Sequence, residues 1–256
     1  MRKKSLWVIL LTAIVFFAIA VLGTLTVSRV ERVEVQAKLI SKEAETEVEA
    51  FRERLIETYK NDRSFSVKST QAEELMSEFP YFRMTEFRVV FPDKIAVKIE
   101  EDDEVFAVQT ENGKYCLLAL NGTVLGERDY SKNRSDGGEN ILLDGVTVTE
   151  KRGEIANGKG FAELLAFSSQ VSKAVGGIRS NVSKISVSAM AATEITMTLT
   201  MKEGVKVLVN NPAEQTAEKA EKAMECYLSL SDGARLTGEI WVVTGVDGTI
   251  RVDYKL

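Results

Sequence analysis

The sequence predicts an α+β chain: an N-terminal transmembrane helix, a small β-α-α-β-β domain, then a larger, mainly antiparallel β domain with two helices packed on its sheet. Three observations lead there. Leu6 to Val27, LWVILLTAIVFFAIAVLGTLTV, runs 22 residues without a charge. Short runs of alternating apolar and polar residues recur through the rest of the chain, the period of strands with one buried face. Four other stretches place apolar residues three and four apart, as helices do.

The uncharged run spans roughly 33 Å at about 1.5 Å per residue, enough for a bilayer core. Its one small-residue triplet of cleavage type, Ala18-Ile19-Ala20, lies inside the apolar run, so the segment reads as a retained anchor over residues 6–27. Arg2, Lys3 and Lys4 on the short side place residues 1–5 in the cytoplasm and everything after Val27 outside. The expectation is a cell-membrane protein that spans once, with a large extracytoplasmic body.

In the first outer domain Val33, Val35, Ala37 and Leu39 alternate with polar residues, giving a strand. Ser41 offers an N-cap, Glu43 and Glu45 suit a helix N-terminus, and Val48, Phe51, Leu55 and Tyr59 recur at helical spacing. A helix over about 42–59 follows. Thr70-Gln71-Ala72-Glu73 reads as a capping box opening a second short helix that Pro80 ends. Phe87, Val89 and Phe91, the turn Pro92-Asp93, then Ile95, Val97 and Ile99 read as a β-hairpin with one apolar face.

Beyond Val105 the pattern is mainly strands with two helices. Glu111-Asn112-Gly113 and Asn121-Gly122 are hairpin signals around KYCLLAL. Residues 126–140, GERDYSKNRSDGGEN, have little apolar content and predict a mobile loop. Phe161, Leu164, Leu165, Ser168 and Val171 share a helical face that Gly176-Gly177 stops. Strands follow through VSKISV, EITMTLTM and GVKVLV. Asn211-Pro212-Ala213-Glu214 predicts a second capping box, opening a helix that turns Ala220, Met224, Tyr227 and Leu228 to one side. The chain closes with GEIWVV, a turn at Val246-Asp247-Gly248, and TIRVDYKL. In that last strand Ile250, Val252 and Tyr254 share one face and Thr249, Arg251 and Asp253 the other.

Composition narrows function. The 256 residues contain no histidine, which removes Ser-His-Asp and Cys-His catalysis and the commonest zinc ligand. No lysine has a serine three residues earlier, the spacing of penicillin-recognising enzymes, although other Ser-Lys geometries stay open. Net charge is -5, and past the first four residues 30 basic face 38 acidic side chains. That acidic body disfavours nucleic acid and anionic lipid headgroups as partners. The run Glu100 to Glu104 lacks the ligand spacing and central glycine of a calcium loop, so it reads as a solvated charge run. Asp232, Asp247 and Asp253 scatter across turns and a strand without declaring a carboxylate pair. Cys116 and Cys226 read as buried free thiols, a disulfide between them staying open. No cofactor, metal or small-molecule substrate is implied.

The order strand, helix, helix, strand, strand resembles a POTRA domain, here over 30–102, with the β domain over 103–256. The segments VERVEVQ, SEFPYFRMTEFRVVFPDKIAVKIEED, VFAVQTENGKYCLLALNGTVL, NILLDGV and GEIWVVTGVDGTIRVDYKL, in that order, resemble the FtsQ/DivIB family of bacterial division-septum proteins. The resemblance implies a non-enzymatic scaffold that binds the bitopic FtsB/DivIC-like and FtsL-like proteins outside the membrane and helps regulate septal peptidoglycan synthesis. It also implies that the last strands carry the contacts, here Trp241, Thr249, Arg251, Asp253 and Tyr254. Two other readings are an anchored envelope enzyme using a Ser-Lys pair and a POTRA-type adaptor of another envelope assembly.

Overall fold

The computed structural model describes residues 7, 11–19, 29–148, 151–158, 160–189 and 195–256. Among these the chain is α+β, with seven helices and twelve strands. It divides into two compact units, Met1–Glu101 and Asp102–Leu256.

The expected transmembrane helix is corrected. Its described part is Trp7, in helical conformation, and a helical run over 11–19, α1. No helix among the described residues is long and apolar enough to cross a membrane. The expected span over 6–27 otherwise lies outside the described residues.

Unit 1 holds strand β1 (Arg32–Lys38), helices α2 (Glu43–Tyr59) and α3 (Thr70–Met76), and strands β2 (Phe82–Val90) and β3 (Lys94–Glu101). The sheet order is β1-β3-β2, with β1 parallel and β2 antiparallel to the central β3. Val48, Phe51, Leu55 and Tyr59 of α2 meet Val33, Ile95, Val97 and Ile99 of the sheet in one core. The hairpin was expected to bury one continuous face. Only its central strand does so: Ile95, Val97 and Ile99 are buried, whereas Val89 and Phe91 toward the tip of the edge strand are exposed. The α3 start carries no side-chain cap from the expected box. Instead the Tyr59 hydroxyl, from α2, accepts from the Ala72 amide at 3.0 Å and donates to the Lys68 carbonyl at 2.7 Å.

Unit 2 is built on β4 (Glu104–Gln109), β5 (Tyr115–Ala119), β6 (Val124–Arg128), β7 (Ile141–Asp144), β8 (Val182–Ala189), β9 (Ile195–Met201), β10 (Lys206–Asn210), β11 (Glu239–Thr244) and β12 (Ile250–Lys255). Its helices are α4 (Phe161–Val175), α5 (Ile178–Asn181), α6 (Thr216–Ser229) and α7 (Asp232–Arg235). They form one nine-stranded sheet in the order β12-β11-β10-β9-β8-β7-β4-β5-β6. The sheet is more mixed than the sequence predicts: β4–β7, β7–β8 and β10–β11 are parallel. Parallel neighbours need long crossovers. α4 and α5 supply the one from β7 to β8, and α6 and α7 the one from β10 to β11. Both long helices therefore join one core: Phe161, Leu164, Phe167 and Val171 of α4 and Ala220, Ala223, Met224 and Tyr227 of α6 pack with Ile185, Met197, Leu199, Val207, Ile240 and Val242.

The 126–140 stretch differs from a bare loop. Its first three residues finish β6. Beyond them Asn133 is buried and its amide donates to the Glu104 carbonyl at 2.6 Å and Asp103 Oδ1 at 2.8 Å. The buried Glu104 carboxylate accepts from the Arg134 amide at 3.0 Å and pairs with Arg128. Asp136 closes on Arg179 of α5 at 2.7 Å. Buried polar groups of this kind are tolerable because each finds a partner.

Candidate functional site

The β11–β12 hairpin lies at one edge of the unit 2 sheet, and among the described residues no strand pairs with β12 on its outer side. Its turn is local chemistry. The Gly245 amide donates to the Thr249 carbonyl at 2.8 Å, and Gly248 takes φ 77°, a conformation that favours glycine. Asp247 caps the turn, accepting from the Thr249 hydroxyl at 2.7 Å and amide at 3.1 Å. Those two bonds, with a smaller contribution from Arg251 3.6 Å away, hold the Asp247 carboxyl below its usual range.

The ladder then fixes which groups face outward. Hydrogen-bonded pairs alternate along antiparallel strands. With Gly245–Thr249 bonded, the pairs Val243–Arg251, Trp241–Asp253 and Glu239–Lys255 turn their backbone groups toward each other. The amides and carbonyls of Ile250, Val252 and Tyr254 therefore point away from the sheet. This is the template an added strand needs.

Side chains follow the opposite parity. Arg251, Asp253 and Lys255 are exposed on the face away from the helices, beside Val243, Trp241 and Glu239. Register carries that face inward: Trp241 stands opposite Leu208 of β10, Leu208 opposite Thr198 of β9, and Thr198 opposite Ser186 of β8. The indole N–H donates to Glu239 at 3.1 Å, and the Lys255 ammonium lies 5.1 Å from the ring centre. An aromatic with cations and carboxylates around it makes a surface that discriminates by charge as well as shape.

Of the five residues singled out in the sequence, the structure brings Trp241, Arg251 and Asp253 together on this open face and leaves Thr249 exposed at the turn. It places Tyr254 elsewhere. Tyr254 packs against the helix-side core, and its hydroxyl lies 3.0 Å from the carbonyls of Ala234 and Thr237. Its ring also stands 2.9 Å from where a Cβ on Gly238 would sit, so it closes over the α7 segment. Its side chain is a brace.

Two features escaped the sequence reading. Lys255 over Trp241 follows from strand register, which no local pattern gives. Lys219 of α6 is fully buried, its ammonium donating to the Asn210 and Asn211 carbonyls at 2.8 Å each. The signal was present, since Lys219 precedes Ala223 and Tyr227 by one and two turns on the apolar stripe. Its anchoring sets a loop in which Asn211 and Gln215 take φ 46° and 51°, and Gln215 reaches the Gly248 carbonyl at 3.2 Å in the hairpin turn. The expected capping box at Asn211 gives way to this arrangement: the helix begins at Thr216, and the Asn211 side chain accepts from the Ile195 amide at 3.3 Å.

The acidic run resolves into separate roles. Glu101 accepts from the amides of Ile40 and Ser41 at 2.7 and 2.9 Å and from the Ser41 hydroxyl at 2.5 Å. Glu100 pairs with Arg83 at 2.9 Å. Asp103 and Glu104 bind the Asn133 loop. Among the described residues no three ligand-type side chains converge on a point that would hold a metal ion. Cys116, which is buried, and Cys226, which is partly buried, form no disulfide, and burial pushes the Cys226 thiol upward.

No model of a known protein family matches the chain, and no curated protein matches it.

Proposed function

We propose that the chain is a non-enzymatic scaffold of the division septum, acting on the outer side of the cell membrane. It binds FtsB/DivIC-like and FtsL-like proteins and helps regulate septal peptidoglycan synthesis carried out by others. One observation carries the reading: β12 is the outermost strand of its sheet and turns the backbone groups of Ile250, Val252 and Tyr254 outward. A partner segment that adds to it gains main-chain hydrogen bonds there, while Arg251, Asp253 and Lys255 select its side chains. The resemblance of the closing segment to the FtsQ/DivIB family names the partner class.

Calorimetric titration of the full chain with the extracytoplasmic region of a DivIC-like protein from the same cell tests it. Saturable binding, weakened about tenfold or more by Arg251→Glu, is the expected result. Absence of binding by the folded chain, or unchanged affinity on charge reversal, overturns the reading.

A further inference from the structure

Three segments converge at one end of unit 1. Arg29 and Arg63 form an isolated antiparallel bridge. The Val30 amide donates to the Asp62 carbonyl at 3.0 Å, and the Glu31 and Arg32 amides donate to the Asp93 carbonyl at 2.9 and 3.2 Å. The Ser64 hydroxyl donates to the Pro92 carbonyl. The start of β1, the turn after α2 and the β2–β3 turn thus lie side by side.

Large apolar side chains at this end face outward. Phe65 and Phe91 are each 64 % exposed, and Val89 and Val90 are 38 % and 42 % exposed. Phe65 and Phe91 on adjoining turns, with Val89 and Val90 turned to opposite faces at the end of β2, leave apolar surface at this end of the kind that marks an interaction surface. Its rim carries four cations, Arg29, Arg32, Lys60 and Arg63, against three carboxylates, Glu31, Asp62 and Asp93. Arg32 is matched by Asp93 at 2.8 Å, but among the described residues neither Arg29 nor Arg63 has a carboxylate within ion-pair distance. The Arg63 guanidinium lies 5.9 Å from the Phe65 ring centre, and Lys60 is exposed beside this turn.

We propose that this end of unit 1 rests on an anionic lipid surface, with Phe65 and Phe91 among the headgroups and Arg29 and Arg63 against their phosphates. Exposed aromatics bordered by unpaired arginines are the chemistry of a membrane interface. The patch sits on turn tips rather than in a groove, which suits a deformable surface. The chain leading into it fits the same occupant: the uncharged stretch ends at Val27, two residues before Arg29. Within that stretch Leu11, Phe16 and Phe17 of α1 are exposed. The acidic balance of the whole chain does not decide the matter, because screening beyond roughly 8 Å at physiological salt leaves the local charge in control. The contact requires no segment to cross the bilayer, and it stands independently of the septum reading.

The test uses the full chain with Trp7→Phe and Trp241→Phe, so that Phe91→Trp supplies the single indole. Vesicles of phosphatidylcholine with phosphatidylglycerol carry brominated acyl chains. Quenching of that indole by roughly twofold or more, relieved when Arg29→Glu and Arg63→Glu are added, is expected. An unquenched indole, or quenching that the charge reversals leave unchanged, overturns the proposal. Phe65→Trp in the same background is the second reporter should Phe91→Trp fold poorly, and the same two outcomes decide it.

Discussion

Trp241 and Asp253 stand directly opposite each other across the last ladder of the sheet, and Lys255 lies 5.1 Å from the centre of the indole. Aromatic, carboxylate and ammonium are thus gathered beside an edge whose backbone groups are unpaired. Affinity on such an edge comes from the main chain and selectivity from the alternate side chains.

Val252→Pro separates those contributions. Its amide points outward, so proline removes a donor that only an added strand would use. We expect partner binding to fall about tenfold or more, with a stability loss of about 1 kcal/mol. Asp253→Pro removes an amide that serves the β11 ladder and costs about 2 kcal/mol. Urea denaturation of both variants beside calorimetry checks the contrast.

Tyr254→Phe deletes the hydroxyl that reaches the Ala234 and Thr237 carbonyls. The expected effect is a stability loss of about 1 kcal/mol with partner affinity essentially unchanged, since the ring faces the core. A large affinity loss in a fully stable variant would return Tyr254 to the contact surface.

Lys219→Met orphans two carbonyls and is expected to cost about 2 kcal/mol. It also changes the pH response. Burial lowers the Lys219 pKa below its ordinary 10.5, with Glu214 opposing. The unfolded chain then binds the proton more tightly than the folded one, so this group's contribution to stability rises with pH toward 10.5. Denaturation midpoints on the alkaline side should show that rise in the native chain and lack it in Lys219→Met.

Asp136→Asn tests the loop tether at the other pH extreme. The Arg179 guanidinium, with the Gly138 amide, holds the Asp136 carboxyl down to about 2 from 3.8. A depressed carboxylate stabilises above its unfolded value and loses that contribution as pH falls from 3.8 to about 2. The carboxylate is largely exposed, so the effect is modest. Acid-induced exchange of amides in 129–140 should be steeper in the native chain than in Asp136→Asn.

Local periodicity made much of this architecture legible. Val48, Phe51, Leu55 and Tyr59 marked α2, and alternation put Ile250, Val252 and Tyr254 on one face of β12, while only the fold showed that this face, Tyr254 included, meets the core. Signals that depend on distant partners stayed hidden. The Asn133 loop looked mobile because its composition is polar, yet its amide is satisfied by Asp103 and Glu104, some thirty residues earlier. The α6 start moved past Pro212 because Lys219, inside the helix, claims the carbonyls ahead of it. Parallel pairing of β7 with β4 and β8 depends on crossovers, which strand patterns do not encode. In the candidate site the strand was readable, while the Lys255–Trp241 contact came only with register.

Amide hydrogen exchange with and without the DivIC-like region tests the edge-strand claim most directly. Strand addition to β12 should slow exchange at Val252 and Tyr254, whose amides face outward, and leave Arg251 and Asp253, already bonded to β11, little changed. Saturable binding with Val252 and Tyr254 still exchanging freely would contradict it and move the contact away from this edge.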